Sequence, residues 1–197
     1  IEEITGQNPI GKTGWIEPFH RDMRYLKACK DLILQFFKGT LKGNFLQIPT
    51  GKPIPNWEDL TLIFSAHGIP ARLIRKGDTY VNELKENVEL LSMLLKNSGF
   101  RGEIFLSFQS RVGLLKWTEP STIDLLTELG KKGHRRVAVY PISFVSDHLE
   151  TLEEIGVELK EIAFKSGIEE YYRIPAPGVF PSFISALGEI VLEASGD

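Results

Sequence analysis

Short apolar runs that alternate with amphipathic stretches constrain the fold of this chain most. From residue 61 onward, the runs at 61–66, 103–108 and 135–144 are separated by stretches in which apolar side chains recur every three or four residues. Strands that alternate with helices in this way are typical of an α/β fold with a parallel sheet. A fourth strand is predicted at about 157–163. We therefore predict an open parallel sheet of about four strands, with helices on both faces.

The predicted helices carry start and stop signals. Asp78 is placed to cap a helix that ends at Asn97-Ser98-Gly99, and Pro120-Ser121 opens a shorter helix. The last helix is predicted at about 181–194. The apolar face of the first of these helices consists of Val81, Leu84, Val88, Leu91 and Leu95.

Residues 1–58 have a different character. They begin with a polar, glycine-containing stretch and continue with a predicted helix at about 21–38. They end in a segment typical of a linker between lobes, because it is rich in residues that interrupt regular structure: Pro49, Gly51, Pro53 and Pro55. The chain begins at Ile1 rather than at methionine, so we expect that part of the protein precedes it.

Composition excludes several classes of function. The formal net charge of −3 offers no basic surface for nucleic acid. Cys29 is the single cysteine, so the chain has neither an internal disulfide nor the thiols of an iron–sulfur cluster, which favours a cytoplasmic protein. No apolar run approaches the ~20 residues that span a bilayer, which leaves at most peripheral contact with a membrane. Sequence motifs of nucleotide-binding loops, zinc proteases and serine hydrolases are absent.

A histidine follows the first predicted strand. In open parallel sheets, ligands bind outside the carboxyl ends of the strands, where His67 lies in the loop Ser65-Ala66-His67-Gly68-Ile69-Pro70. An imidazole titrates near neutrality and can exchange protons there. The alternative is a loop histidine without a task, and position alone leaves both interpretations open.

Acidic residues follow the third predicted strand. Asp147, Glu150 and Glu154 are spaced at steps of three and four, which on a helix places carboxylates on one face, able to meet a hard cation or collect protons. The alternative is structural, since Asp147 and Glu150 have the spacing of a capping box. Glu154 favours the functional interpretation, because like charges one turn apart repel by a few tenths of a kcal/mol unless a proton or metal is shared.

Four segments resemble the ferrochelatase family, in the family's order. Residues 64–70 (FSAHGIP) are similar to the histidine segment of that family. Residues 76–80 (KGDTY) are similar to the start of the helix that follows this segment in the family. The remaining similar segments are 108–117 (FQSRVGLLKW), 141–152 (PISFVSDHLETL) and 172–187, which contains YRIP and FISAL. Two departures are Gly68, where many members have serine, and Thr79, where proline is frequent.

The resemblance implies a fold of two similar α/β lobes with a porphyrin cleft between them. This chain would then supply the C-terminal lobe, residues 59–197, while residues 1–58 would be a crossing helix and linker from a preceding lobe; the segment WIEPF at 15–19 is similar to that crossing. The implied activity is insertion of ferrous iron into protoporphyrin IX or coproporphyrin III, in haem biosynthesis. Iron and porphyrin would be substrates, with no tightly bound cofactor and no iron–sulfur cluster.

The resemblance also implies a catalytic pair. His67 would take a pyrrole proton or receive the metal, and Glu150 would face the ring, so both are predicted metal ligands. Glu154 would continue from Glu150 into an acidic path. Insertion needs such groups, because the macrocycle loses two pyrrole protons while the metal sheds water.

Other matched positions would line the porphyrin site. Asp147 and His148 are expected to support the catalytic pair. Tyr80, Trp117 and Phe144 are expected near the cleft, where the aromatic faces of Tyr80 and Trp117 would pack on the macrocycle. The alternative for Tyr80 and Trp117 is packing in the core.

Two rival functions stay open at this point. A related chelatase would load cobalt or nickel into another tetrapyrrole, although the tyrosine and tryptophan segments favour the iron enzyme. A tetrapyrrole-binding lobe without catalysis is the rival from another class. The choice of porphyrin and the oligomeric state are not predicted.

Overall fold

The chain forms a four-stranded parallel sheet. Its structure, a computed structural model, describes residues 16–42, 52–110, 113 and 115–195. The strands have the spatial order β2-β1-β3-β4 and all pair in parallel. Their bounds are β1 (Thr61–His67), β2 (Ile104–Gln109), β3 (Arg136–Pro141) and β4 (Glu170–Arg173). The α/β fold and a parallel sheet of four strands are confirmed, although the fourth strand lies elsewhere in the sequence than predicted.

Helices connect the strands, and the helices predicted at about 21–38, after Asp78, after Pro120-Ser121 and at about 181–194 lie close to their predicted positions. Tyr80 N–H donates to Asp78 Oδ1 at 2.9 Å at one helix start, and Asp124 N–H donates to Ser121 Oγ at 2.9 Å at another. None of the helices in the described ranges is long and apolar enough to cross a membrane. Within the described ranges the helices are α1 (Met23–Phe37), α2 (Ala71–Arg75), α3 (Tyr80–Asn97), α4 (Thr122–Lys131), a π-helix (Glu150–Glu158), α5 (Leu159–Lys165) and α6 (Pro181–Ser195), with a short 3₁₀ turn at Trp57–Asp59.

Each face of the sheet is covered by its own set of helices. Leu62 and Phe64 of β1 point into a core shared with α1, α3 and α6, whereas Ile63 points into a second core shared with α4 and α5. This division follows from the alternation of side chains along a strand. The prediction of helices on both faces is confirmed.

Helix α1 packs into the first of these cores. Leu26, Leu32 and Phe37 are fully buried there, beside residues of α3 and α6. The proposed boundary at residue 58 between a crossing segment and the lobe stays a prediction. Two residues of the predicted linker, Pro49 and Gly51, and Trp15 of the crossing segment lie outside the described residues.

The predicted fourth strand at 157–163 is wrong, because this region is helical. Val157 is 41% exposed. The buried positions Thr151, Ile155, Leu159 and Ala163 recur every four residues and mark one continuous helical face. The true fourth strand is Glu170–Arg173, whose four residues are too few and too polar to give a clear alternating pattern.

The structural alternative for Asp147, a capping box with Glu150, is also wrong. Asp147 does not cap the helix; its Oδ1 accepts hydrogen bonds from Arg173 Nη1 at 2.8 Å and from Ala176 N–H at 3.3 Å. Thr151 Oγ1 instead accepts a hydrogen bond from His148 N–H at 2.9 Å in the first turn. The Asp147 and Arg173 side chains are only 8% and 7% exposed, so their ion pair ties the segment after β3 to the end of β4.

The strand order creates a switch point between β1 and β3. From β1 the chain continues to β2 on one side of it, and then passes to β3 on the other side. Ligands of open α/β sheets bind where neighbouring connections diverge in this way, beyond the carboxyl ends of the strands. His67 ends β1, and the π-helix follows β3, so both predicted chemical segments adjoin this point.

Two helical glycines differ in how much space surrounds them. A Cβ added to Gly130 in α4 would lie 2.2 Å from the Ser166 carbonyl oxygen, whereas one added to Gly188 in α6 would meet nothing within 4 Å. We expect Gly130→Ala to lower the free energy of unfolding by about 1–3 kcal/mol through overpacking. Gly188→Ala should raise it by up to about 1 kcal/mol through helix propensity. Urea unfolding followed by circular dichroism measures both, and equal effects of the two changes would contradict this packing.

The buried ion pair gives a second prediction for stability. Asp147→Ala removes a buried carboxylate that accepts hydrogen bonds from Arg173 and from Ala176 N–H, so we expect the free energy of unfolding to fall by roughly 3 kcal/mol. Asp59→Ala breaks the exposed pair with Arg101 and serves as the matched control, with a nearly unchanged unfolding midpoint. A similar midpoint for both variants would show that the Asp147–Arg173 pair does not anchor the segment.

Candidate active site

His67 and Glu150 lie side by side at the carboxyl edge of the sheet. His67 Nδ1 is 3.1 Å from Glu150 Oε2, and the two side chains are 42% and 43% exposed. An imidazole next to a carboxylate can accept a proton and hold it, because the carboxylate stabilises the imidazolium that forms. Both groups are therefore paired with each other and accessible to a substrate.

Ser110 joins the carboxylates of Glu150 and Glu154. Its Oγ lies 3.1 Å from Glu150 Oε2 and 2.6 Å from Glu154 Oε2, so its single proton is donated to one carboxylate or the other. Its backbone N–H donates to Glu154 Oε1 at 2.7 Å. Ser110 has φ = 61°, a left-handed conformation that is uncommon for residues other than glycine and that recurs at functional sites.

The helix that carries these carboxylates is a π-helix. Leu159 N–H donates to the carbonyl oxygen of Glu154, which closes an i→i+5 turn. π-Turns are rare and frequent at functional sites. Thr151 and Ile155 are buried, while Glu150 and Glu154, four residues apart, both contact Ser110, as their spacing predicts.

Two residues contact the backbone of His67. Tyr80 donates its hydroxyl to the His67 carbonyl oxygen at 3.0 Å, and Ser143 Oγ accepts a hydrogen bond from His67 N–H at 2.8 Å. Burial raises the pKa of the Tyr80 hydroxyl above its ordinary value, which keeps it protonated as a donor. Tyr80 therefore contacts the site through its hydroxyl.

Phe144 and His148 complete the group around the imidazole. The ring of Phe144 meets His67 edge to face, with centroids 6.1 Å apart, and lies 4.9 Å from the ring of His148. His148 Nδ1 accepts a hydrogen bond from Glu150 N–H at 3.2 Å. Both residues thus lie against the predicted pair.

Trp117 lies beside the loop that follows His67. Its backbone pairs with Pro70, and a Cβ added to Gly68 would come 3.6 Å from its ring and 2.7 Å from the carbonyl oxygen of Gln109. The close approach of this carbonyl explains why glycine suits position 68. The indole Nε1 is buried and has no hydrogen-bond partner among the described residues.

The structure brings most of the predicted site residues together, and separates one. His67, Glu150 and Glu154 form one hydrogen-bonded group with Ser110, whereas the carboxylate of Asp147 is turned towards Arg173. The roles of the predicted site residues in binding and catalysis stay predictions. No role is predicted from the sequence for Ser110 and Ser143, although each follows closely after a strand and lies in a segment that resembles the family.

Two cavities adjoin this group. A polar cavity of about 370 Å³ borders Ser110 and Glu154 and is also lined by Asp124 and Glu158. A largely apolar cavity of about 240 Å³ lies beside Tyr80, Ser143 and Phe144. Within the described ranges, no three histidine, cysteine or acidic side chains form a group that could hold a metal ion.

Comparison with known proteins identifies relatives over nearly the whole chain. The family model described as ferrochelatase matches residues 2–195. The ferrochelatase of Leptospira borgpetersenii serovar Hardjo-bovis (strain L550) is 56% identical over 195 residues, which cover 98% of this chain and 53% of that protein. The ferrochelatase of Leptospira biflexa serovar Patoc (strain Patoc 1 / Ames) is 45% identical, with coverage of 98% and 54%. The chain therefore spans about half the length of these curated relatives.

A solved structure supports the fold. The protein SirB from Bacillus subtilis, determined with Fe3+, superimposes with a TM-score of 0.57 at 16% identity, covering 100% of this chain and 65% of that chain. At that identity the likeness is evidence for the fold alone. The family model covers nearly all of the chain, and together with the identity to the Leptospira proteins it shows that the chain belongs to the ferrochelatase family.

Proposed function

We propose that this chain forms the lobe of an enzyme that inserts ferrous iron into a porphyrin, in haem biosynthesis. The observation that carries the proposal is the His67–Glu150 pair, half-exposed at the switch point and linked through Ser110 to Glu154. The pair occurs in a chain of the ferrochelatase family, in which this chemistry is expected.

His67 is the proposed acceptor of a pyrrole proton. Its Nδ1 is engaged with Glu150, and Nε2 has no hydrogen-bond partner among the described residues, so Nε2 is the nitrogen available to the macrocycle. When Nε2 takes a proton, the imidazolium is stabilised by Glu150 at 3.1 Å. His67 and Glu150 therefore act as one proton-accepting unit.

Glu150 and Glu154 are the proposed path for the second proton and for iron. Carboxylate oxygens bind divalent cations and can replace the water that the metal sheds. Ser110 can pass its hydrogen bond from one carboxylate to the other, and the polar cavity beyond it is lined by two further acidic residues, Asp124 and Glu158. This arrangement supports an acidic route from the cavity to His67.

The aromatic residues are proposed to hold the ring in place. Phe144 is in edge contact with His67, and Trp117 flanks the loop after it, so a macrocycle over His67 would meet both. Flat aromatic faces pack favourably on a planar tetrapyrrole ring. Supporting roles are proposed for His148, through Glu150, and for Asp147, through the Arg173 anchor.

A lobe that binds tetrapyrrole without catalysis is the second candidate. It is favoured by one observation, that the chain spans about half the length of the curated relatives. A cytoplasmic location, the absence of a resident cofactor and the choice between protoporphyrin IX and coproporphyrin III stay predictions alongside it. Activity measured in a complete chain separates the two candidates.

A chimera provides that measurement. This chain replaces the matching 195-residue segment of the Leptospira borgpetersenii relative, and metalloporphyrin absorbance is followed anaerobically with ferrous iron and either porphyrin. We expect turnover in the chimera, and a loss on the order of 100-fold or more in kcat for His67→Ala and Glu150→Gln, because general acid–base groups contribute that much. Glu153→Gln, an exposed residue of the same helix, is the matched control and should keep full activity.

The outcomes of this experiment are distinct. An inactive chimera beside an active parent, with porphyrin still bound, would replace the proposal with the non-catalytic candidate. Full activity in His67→Ala and Glu150→Gln would sink the catalytic pair.

Ser110 gives a separate prediction. Ser110→Gly removes the hydroxyl and keeps the left-handed backbone at no steric cost, while Ser110→Ala removes it and keeps the Cβ. We expect kcat in the chimera to fall roughly 10-fold in both, since a hydrogen bond to a charged group contributes about 1.5–3 kcal/mol. Ser92→Ala, which removes a hydroxyl bonded to Val88 in α3, should leave kcat unchanged. Unchanged kcat in both Ser110 variants would show that the carboxylates do not need this link.

A further inference from the structure

The sheet provides no hydrogen-bond partners for His67 on one side. Pairing between β1 and β2 extends to His67, opposite Gln109, whereas pairing between β1 and β3 stops at Ser65, opposite Pro141. The last hydrogen bond on the β3 side is donated by Ile142 N–H to Ser65 at 3.1 Å. The chain then turns, with Phe144 N–H donating to the carbonyl oxygen of Pro141.

The N–H and C=O of His67 point to the β3 side of β1, at a position beyond the last residue of β3. Backbone groups of alternate residues along a strand point to the same neighbour, and Ser65 bonds to β3 while Gly68 bonds to Gln109 of β2. Backbone groups without a strand partner need another one when they are shielded from water. The N–H and C=O of His67 therefore need hydrogen-bond partners from outside the sheet.

Two side chains take the place of the missing strand. Ser143 Oγ accepts the hydrogen bond of His67 N–H at 2.8 Å, and the Tyr80 hydroxyl donates to the His67 carbonyl oxygen at 3.0 Å. They come from different elements, since Tyr80 begins α3 and Ser143 lies in the segment between β3 and the π-helix. Both backbone groups of this residue are thereby satisfied.

We infer that Ser143 is a positioning residue that, with Tyr80, fixes the backbone of His67 and so aligns its imidazole with Glu150. Ser143 lies on the same connecting segment as Phe144, whose ring contacts the imidazole, and this segment continues into the helix that carries Glu150. One segment thus holds the backbone of His67, packs against its ring and supplies its partner. The catalytic consequence rests on the proposed function; the hydrogen bond itself does not.

The first test reads the hydrogen bond directly. Amide hydrogen exchange of His67 is measured by ¹⁵N NMR on the 197-residue chain with Ser143→Ala, Ser143→Thr and the control Ser92→Ala. Threonine keeps the hydroxyl, and its extra methyl group has space because Ser143 lines the cavity of about 240 Å³. We expect exchange to be about 3- to 10-fold faster in Ser143→Ala, the range of one net hydrogen bond, and unchanged in the other two. Unchanged exchange in Ser143→Ala would overturn the inference.

The second test separates positioning from a structural role. In the chimera, Ser143→Ala should lower kcat about 10-fold with the porphyrin KM unchanged, and Ser143→Thr should restore it. In a His67→Ala background the same change should have no further effect, because a positioning residue acts only through the residue it holds. An equal loss in both backgrounds would overturn the inference. A chimera without any turnover would count against the proposed function, while the exchange measurement would still decide the contact.

Discussion

The early end of β3 is the constraint on which the rest of the site depends. Sheet pairing with β1 stops at Pro141, two residues before β1 itself ends, so His67 extends past its neighbour. The chain that leaves β3 is free to turn across the end of β1. This turn brings Ser143 to the His67 backbone, Phe144 to its ring and, further on, Glu150 to its Nδ1. A longer β3 would pair with His67 and leave no room for these contacts.

A second constraint is the placement of two carboxylates in one small volume. Glu150 and Glu154 repel each other, and the repulsion grows as solvent is excluded. Ser110 offsets part of it by offering its hydroxyl to both groups and its backbone N–H to Glu154. The left-handed backbone at Ser110 directs its hydroxyl and its N–H towards the π-helix. The strained conformation thus occurs where it provides hydrogen bonds to two carboxylates.

The sequence predicts the architecture well where periodicity is strong. The first three strands and the helices at 181–194 and after Asp78 agree with the structure. Strands covered on both faces give continuous apolar runs, and helices with one buried face give spacings of three and four residues. The predicted position of the fourth strand is wrong. Val157 and Leu159 are two residues apart, as apolar residues of a strand would be, but the buried residues are Ile155, Leu159 and Ala163, which have the spacing of a helix. β4 has only four residues, too few to show a pattern of apolar residues that predicts a strand.

The site was predictable only in part, and for a physical reason. His67 and Glu150 follow neighbouring strands, and the carboxyl ends of parallel strands meet at one edge, so their proximity follows from the fold. The contacts of Ser110 depend on a left-handed backbone and those of Ser143 on a strand that stops early. Neither backbone feature can be read from residue spacing, although both serines lie in segments that resemble the family. Asp147 has the spacing of a cap, but burial next to Arg173 outweighs it.

The most direct test of the account is a crystal structure of the chimera with a metal-free porphyrin bound. The account requires a pyrrole nitrogen within hydrogen-bond distance of His67 Nε2, with Glu150 still paired to Nδ1 and Phe144 in contact with the ring. A porphyrin seated away from the switch point, with His67 and Glu150 facing solvent, would contradict it.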